Sequence, residues 1–306
     1  MNRKIFFPNQ VISAYQAIDS ILEYAVFIRA SDLHCDPNPS SIVIRGRVDG
    51  LLQKLGDLPL SIYSEFIMRL KILSGTRTDI HFMPQDGRWQ AKISDSIFNI
   101  RISFMPTYYG ENAVMRILPT SKGKEYSFEQ LGFRNQDQLQ IEKALKHSNG
   151  LILVTGPTGS GKTTTLQTCI KKILKEDISI ITLEDPVEYE IEGVRQVHIR
   201  HDLGVNFASA LRSTLRQDPD VIMVGEIRDS ETAQVAIHTA LTGHLVLSTI
   251  HTNSALDTII RLIDMGIDRY LISSTLRLII SQRLVRRICP NCHLKMCEEC
   301  NFTGFK

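Results

Sequence analysis

Missing from the chain is any run near the roughly 20 apolar residues that a bilayer-crossing helix needs. Its start, Met1-Asn-Arg-Lys-Ile-Phe-Phe-Pro8, holds basic residues and then only three apolar ones before the proline. That is too short for the apolar core of an export signal. Missing too is an excess of one charge: 35 Lys and Arg stand against 33 Asp and Glu, a formal net charge of +2. A broad basic surface for nucleic acid is therefore not expected. No internal repeat and no low-complexity segment interrupts the chain. These absences lead us to expect a soluble, intracellular protein.

What is present fits a folded chain. Of 306 residues, 43% are hydrophobic and 22% charged, which excludes complete disorder, and the length suggests two domains. Val11, Ile12, Tyr15, Ile18, Leu22, Ala25 and Val26 recur at steps of three and four, the spacing of an amphipathic helix. Ser41–Val48 is β-rich, and Asp49-Gly50 followed by Leu51-Leu52 reads as a hairpin. A helix at Ser61–Leu73 and strands at Arg88–Ser94, Ile97–Phe104 and Asn112–Leu118 give residues 1–118 an α+β pattern. His34, Cys35 and Asp36 are consecutive strand residues whose side chains alternate faces. They cannot easily close on one metal ion, so Cys35 is expected to be a small buried side chain. Residues 119–126, polar with Pro119 and Gly123 and without periodicity, are the expected linker.

The pattern then changes. Helices at Asn135–His147, Lys162–Leu174, Phe207–Leu215 and Glu231–Leu241 alternate with strands at Leu151–Thr155, Ile178–Leu183, Val221–Val224 and Leu245–Ile250. Short strands without a polar face, alternating with helices, predict a parallel sheet covered on both sides over residues 127–288.

Between the first of these strands and its helix lies Gly156-Pro157-Thr158-Gly159-Ser160-Gly161-Lys162-Thr163-Thr164, which fits G-x-x-x-x-G-K-[ST]. Glycines let backbone N–H groups turn toward phosphate oxygens at a helix N-terminus. Lys162 adds a charge on the outer phosphates, and the Thr163 hydroxyl suits Mg²⁺. The expected ligands are ATP and Mg²⁺.

Two further strands end in acids. Val221–Val224 leads to Gly225-Glu226, and Ile180–Leu183 leads to Glu184-Asp185-Pro186. Ligands of open α/β sheets bind at such carboxyl ends. Glu226 is the preferred residue to polarise an attacking water, with Glu184 second. His244 and His251 bracket another buried strand, and His251, at its carboxyl end, is placed to sense a γ-phosphate.

Taken together, these boxes resemble the secretion traffic ATPases, which drive type II secretion, type IV pilus assembly and retraction, and DNA-uptake pseudopili. The resemblance extends to Ala30-Ser-Asp-Leu-His34-Cys-Asp-Pro37, Arg45-Gly-Arg47-Val-Asp49-Gly50 and Gln85-Asp-Gly-Arg88. It implies a RecA-like P-loop domain preceded by a smaller PAS-like α+β domain, in a homohexameric ring at the cytoplasmic face of the membrane. An inner-membrane platform protein is the implied partner; membrane contact would run only through partners, and no direct nucleic-acid contact is implied. By the same resemblance, arginines of the small domain serve the nucleotide. Arg101 and Arg116 are the implied residues, Arg88 ranks below them, and Arg45 and Arg47 come last. Such an arginine is worth about 10³–10⁵ in rate.

Cys289-Pro-Asn-Cys292-His-Leu-Lys-Met-Cys297-Glu-Glu-Cys300 holds two C-x-x-C turns in the expected tail, residues 289–306. Two such turns can offer four thiolates to tetrahedral Zn²⁺. Zinc contributes roughly 10–16 kcal/mol in small finger peptides, enough to order a tail with little core. The pairs stand closer together than in the family pattern, and an iron–sulfur cluster or a redox dithiol are the alternatives. By resemblance the cysteines mark assembly enzymes, and the short DNA-uptake type is the nearest relative implied. Retraction motors, DNA-translocating ATPases and a scaffold without catalysis are the rival readings. Arg283, Arg286 and Arg287 are expected on a solvated or interface helix face before the tail, with DNA contact as the lesser alternative.

Overall fold

The computed structural model describes residues 13–119, 126–187, 190–295, 297, 300 and 304–305. Two compact units emerge, one of residues 1–121 with 286–306 and the other of residues 122–285. The start of the first expected helix and residues 120–125 of the expected linker lie outside the described residues.

In the first unit, α1 (Ala14–Phe27) opens with a capping box between Ser13 and Gln16 and buries Ala14, Ala17, Ile18, Ile21, Leu22 and Ala25. Six strands follow: β1 (Asp32–Pro37), β2 (Ser41–Val48), β3 (Leu51–Pro59), and, beyond α2 (Tyr63–Ser74), β4 (Gln85–Ile93), β5 (Ser96–Thr107) and β6 (Gly110–Pro119). They form one sheet in the order β3-β2-β1-β6-β5-β4, antiparallel throughout. The β2–β3 turn takes positive φ at both Asp49 and Gly50, as a two-residue hairpin of native twist requires. Alternation decides the faces. Leu33, Cys35, Ile42, Ile44, Ile100, Ile102 and Met115 join Ile18, Ile21, Phe66 and Leu70 in one core. The intervening positions carry polar side chains on β1 (Asp32, His34 and Asp36), with the half-buried Val43 and Val114 among them on β2 and β6.

One charged cluster is sealed into this unit. Lys71 is fully buried, with Nζ 2.9 Å from Oε2 and 2.7 Å from Oε1 of Glu111. Its ammonium also donates to the Ile80 carbonyl, and His81 Nδ1 lies 2.7 Å from Glu111 Oε2. These contacts pin the segment joining α2 to β4.

The second unit runs α3 (Asn135–Leu145), β7 (Gly150–Thr155), α4 (Lys162–Ile173), β8 (Ile180–Glu184), β9 (Arg195–His198), α5 (Phe207–Thr214), β10 (Val221–Ile227), α6 (Ser230–Leu241), β11 (Leu245–Ile250), α7 (Ala255–Asp264), α8 (Arg269–Thr275) and β12 (Leu276–Ser281). Its sheet has the order β12-β7-β11-β10-β8-β9 and is parallel at every pairing. Leu151 and Leu153 of β7 pack into one core with residues of α5 and α6, whereas Ile152 and Val154 pack into another with residues of α3 and α4. Every residue of β7 and β11 is buried, the signature of a strand covered on both faces.

β9 and β12, with α7 and α8, have no counterpart in the elements expected above. β9 is four residues of polar alternation at a sheet edge, and β12 follows α8 without a turn residue between them. Arg283, Arg286 and Arg287 follow β12 in an irregular segment, so the expected helix face is corrected. Arg283 donates to the Asn253 carbonyl at 2.7 Å, and Arg286 stacks on the Phe305 ring at 4.5 Å.

Candidate functional site

The Gly-rich turn connects β7 to α4 with positive φ at Gly156, Gly159 and Gly161. At Gly156 a Cβ would come within 2.4 Å of the Gln282 carbonyl and 2.6 Å of Ser160 Oγ, so the turn closes only with glycine there. Gly161 is the N-cap of α4 and brings no side chain to the first-turn N–H groups. Ser160 Oγ is buried without a hydrogen-bond partner, which suits a site that receives an oxygen-rich ligand. Lys162 Nζ donates to the carbonyls of Gly156 and Pro157, both at 2.9 Å, so its ammonium folds back over the turn. Thr158 and Thr163 are exposed at the rim. The cradle fits a phosphate chain.

The carboxyl edge of the sheet places the other candidates in strand order. β11 adjoins β7, β10 adjoins β11, and β8 comes after β10. The acid-tipped strands thus stand second and third from the turn on one side. Glu226 sits where β10 shifts register between Val224 and Ile227, a local irregularity that re-aims a side chain. Its Oε1 lies 2.6 Å from Arg228 Nη2 and its Oε2 lies 3.5 Å from His251 Nε2. Burial lowers the Lys162 pKa and Arg283 adds to this, while the Glu226 carboxylate opposes both. Burial and then the Lys162 charge hold the His251 pKa below the ordinary histidine range, against the pull of Glu226. Lys162, Glu226 and His251 therefore share one electrostatic neighbourhood.

Glu184 is placed differently. Only 3% exposed, it accepts from Thr182 Oγ1 at 2.7 Å and from Gln196 Nε2 at 2.9 Å. Asp185 instead faces His201 at 3.2 Å. His244 lies at the opposite end of β11, with Nδ1 3.2 Å from the Thr239 carbonyl.

Two supports were not singled out in the sequence. Gln282 donates to the Ser160 carbonyl at 2.6 Å and accepts from Thr165 Oγ1 at 2.9 Å, tying β12 to the phosphate turn. Thr252 bonds Thr155 through both hydroxyls at 2.6 Å, which fixes the chain after His251 to the end of β7. Gln282 stands 122 residues from Ser160, beyond any local motif.

The strand arginines belong to the other unit. Arg101 and Arg116 stand opposite each other on β5 and β6, and Arg88 of β4 stands opposite Arg101. Arg45 is paired with Asp36 at 2.7 Å, and Arg47 donates to the Gly50 carbonyl at 3.1 Å.

The tail gathers its four cysteines, whose sulfurs all lie within 4.8 Å of one another. Cys289–Cys297 and Cys292–Cys300 are 3.8 and 3.7 Å apart. A tetrahedral zinc with bonds of about 2.3 Å sets its sulfurs about 3.8 Å apart, so the thiols fit that ion. The N–H groups of Cys297 and Gly304 point at Cys300 Sγ, each at 3.3 Å.

The type II/IV secretion system protein family matches residues 10–306. The chain belongs to this family. It is 46% identical over 271 residues to the type II secretion system protein E of Xanthomonas campestris, covering 89% of this chain and 48% of that protein. It is 45% identical over 276 residues to the type IV pilus assembly ATPase PilB of Myxococcus xanthus, covering 90% and 49%. The chain thus spans about half the length of these relatives. Among solved structures, the ATPase DotB of Legionella pneumophila superposes with a TM-score of 0.73 at 25% identity, covering 92% of this chain and 79% of that one. The pilus retraction motor PilT, solved with bound ADP, gives 0.64 at 32% identity, covering 89% and 80%. The family's P-loop α/β domain with a smaller, antiparallel-sheet domain before it is the architecture described above. No helix among the described residues is long and apolar enough to cross a membrane.

Proposed function

We propose that the chain hydrolyses ATP and acts as a homohexameric motor for assembly of a type IV pilus-like or type II secretion or DNA-uptake pseudopilus. The observation that carries this reading is the convergence of Lys162, Glu226 and His251 at the carboxyl edge of a parallel sheet, in a chain of this family. In this reading backbone N–H groups of Gly156–Thr164 and the Lys162 ammonium hold the phosphates. Glu226 accepts a hydrogen bond from the attacking water and draws off its proton. His251, neutral at pH 7 by the direction of its shift, reads the terminal phosphate. Glu184, already engaged by Thr182 and Gln196, is the second choice. Thr163 would hold Mg²⁺, which supplies charge neutralisation on the transferred phosphoryl group. Arg101 and Arg116 add positive charge to the same nucleotide in the assembled ring.

The four thiols would hold Zn²⁺ and order the tail. We place the motor in the cytoplasm at the inner face of the membrane, with a platform protein as partner. Two assays test this reading. Purified full-length chain should turn over ATP only with Mg²⁺, and Lys162→Ala should lose nucleotide binding; hydrolysis without Mg²⁺ would contradict the site. Deleting the gene should abolish filaments or pseudopili, whereas an excess of filaments would make it a retraction motor.

A further inference from the structure

One row of charge crosses the polar face of the six-stranded sheet, next to the separate Arg45–Asp36 pair. Arg47 of β2 is opposite Asp32 of β1, Asp32 is opposite Arg116 of β6, Arg116 is opposite Arg101 of β5, and Arg101 is opposite Arg88 of β4. Directly opposite residues of antiparallel strands project from the same face with Cβ atoms about 4.5–5.5 Å apart. The row therefore sets four arginines and one carboxylate side by side across five strands. Like charges in opposed positions destabilise a sheet, and Arg116 has Arg101 on one flank and Asp32 on the other.

Asp32 is held as an anchor would be. Its side chain is 12% exposed, against 53% for Arg116. Oδ1 accepts from Arg116 Nε at 2.9 Å, and Oδ2 accepts from Ser31 Oγ at 2.8 Å with Arg47 Nε beyond at 3.8 Å. Both oxygens are thus occupied, and Ser31 is fixed in turn because its N–H donates to the Arg47 carbonyl at 2.9 Å. The bond to Arg116 uses one of the five donors of a guanidinium. It fixes the arm near its base while the group stays half exposed. Burial works against ionisation of Asp32, yet the bonds from Arg116 and Ser31 and the two arginine charges hold its pKa below the usual carboxylate range.

We propose that Asp32 is the positioning residue for Arg116, fixing the direction in which its guanidinium meets the nucleotide phosphates. This rests on the role of Arg116 proposed above. Asp32 touches no phosphate in this account; it restrains Arg116 through the bond from Nε. A displacement of about 1 Å at a catalytic group can cost roughly a hundredfold in rate.

The test uses the full-length chain at concentrations where its assembly state matches that of the unaltered protein. Steady-state ATP hydrolysis and thermal unfolding are measured for Asp32→Asn, Asp32→Glu, Arg116→Gln and the Asp32→Asn, Arg116→Gln pair. Asp32→Asn should lower kcat roughly ten- to a hundredfold with KM for ATP unchanged, and the pair should be no slower than Arg116→Gln alone. Asp32→Glu keeps the charge but moves it by one methylene, so it should unfold near the normal temperature and still turn over slowly. Normal turnover in Asp32→Glu, or losses that multiply in the pair, would overturn the inference and leave Asp32 a structural residue. Normal turnover in Arg116→Gln would instead overturn the role of Arg116 itself. If Asp32→Asn fails to fold, the Asp32→Glu result decides.

Discussion

Arg228 Nη2 lies 2.6 Å from Glu226 Oε1 and holds one oxygen of the carboxylate, while the other oxygen faces His251 Nε2 at 3.5 Å. Arg228 comes two residues later, just past the end of β10, and the register shift in β10 falls between Val224 and Ile227. A carboxylate that must orient a water needs this kind of restraint. Arg228→Ala should leave ATP affinity unchanged and lower kcat roughly ten- to a hundredfold. Equilibrium binding of a fluorescent ATP analogue beside steady-state turnover separates the two effects; a fall in affinity alone would assign Arg228 to binding.

The lowered pKa of His251 has a stability consequence. Burial and the Lys162 charge disfavour its imidazolium in the folded chain, so the unfolded chain takes up this proton first as pH falls. The His251 contribution is therefore fully present above the ordinary histidine value of about 6.5 and declines as pH drops through it. Urea-unfolding midpoints between about pH 7 and pH 5 should fall less steeply in His251→Gln than in the unaltered chain. Equal slopes would contradict the assignment.

The Lys71–Glu111 pair predicts a sharper effect. Both side chains are almost wholly out of water, and deleting Lys71 takes the ammonium from a buried Glu111 carboxylate that keeps its contact with the His81 ring. Lys71→Met should cost about 3–5 kcal/mol, whereas replacing both with apolar residues should recover much of that loss. Chemical denaturation of the single and double variants checks it. Equal losses in both would mean that packing, not the stranded charge, sets the cost.

For the tail, the measurement is metal content after mild purification. One zinc per chain is expected, with loss of zinc on Cys292→Ser and faster proteolysis of residues 286–306 after chelation. A zinc-free chain whose tail resists protease equally well with and without chelator would remove the metal.

How much of this was legible beforehand follows from where each signal resides. The phosphate turn could be read because its glycines, Lys162 and Thr163 are consecutive and flanked by an apolar strand and a helix. Glu226 and Glu184 could be read because each ends such a strand, but their surroundings could not: Glu226 lies beside Arg228 and His251, and Glu184 accepts from Thr182 and Gln196. Arg101 and Arg116 came from resemblance, and the row they share with Asp32 exists only in the register of strands up to 84 residues apart. β12 and Gln282 escaped notice because the pairing of β12 with β7 joins segments more than a hundred residues apart, which periodicity cannot report.

The most direct test is Glu226→Gln in the full-length chain, with ATP binding and Mg²⁺-dependent hydrolysis measured on the same preparation. Binding should persist while turnover falls roughly 10²–10⁴-fold, the usual contribution of a general base. Undiminished hydrolysis would show that another group activates the water and would contradict the account at its centre.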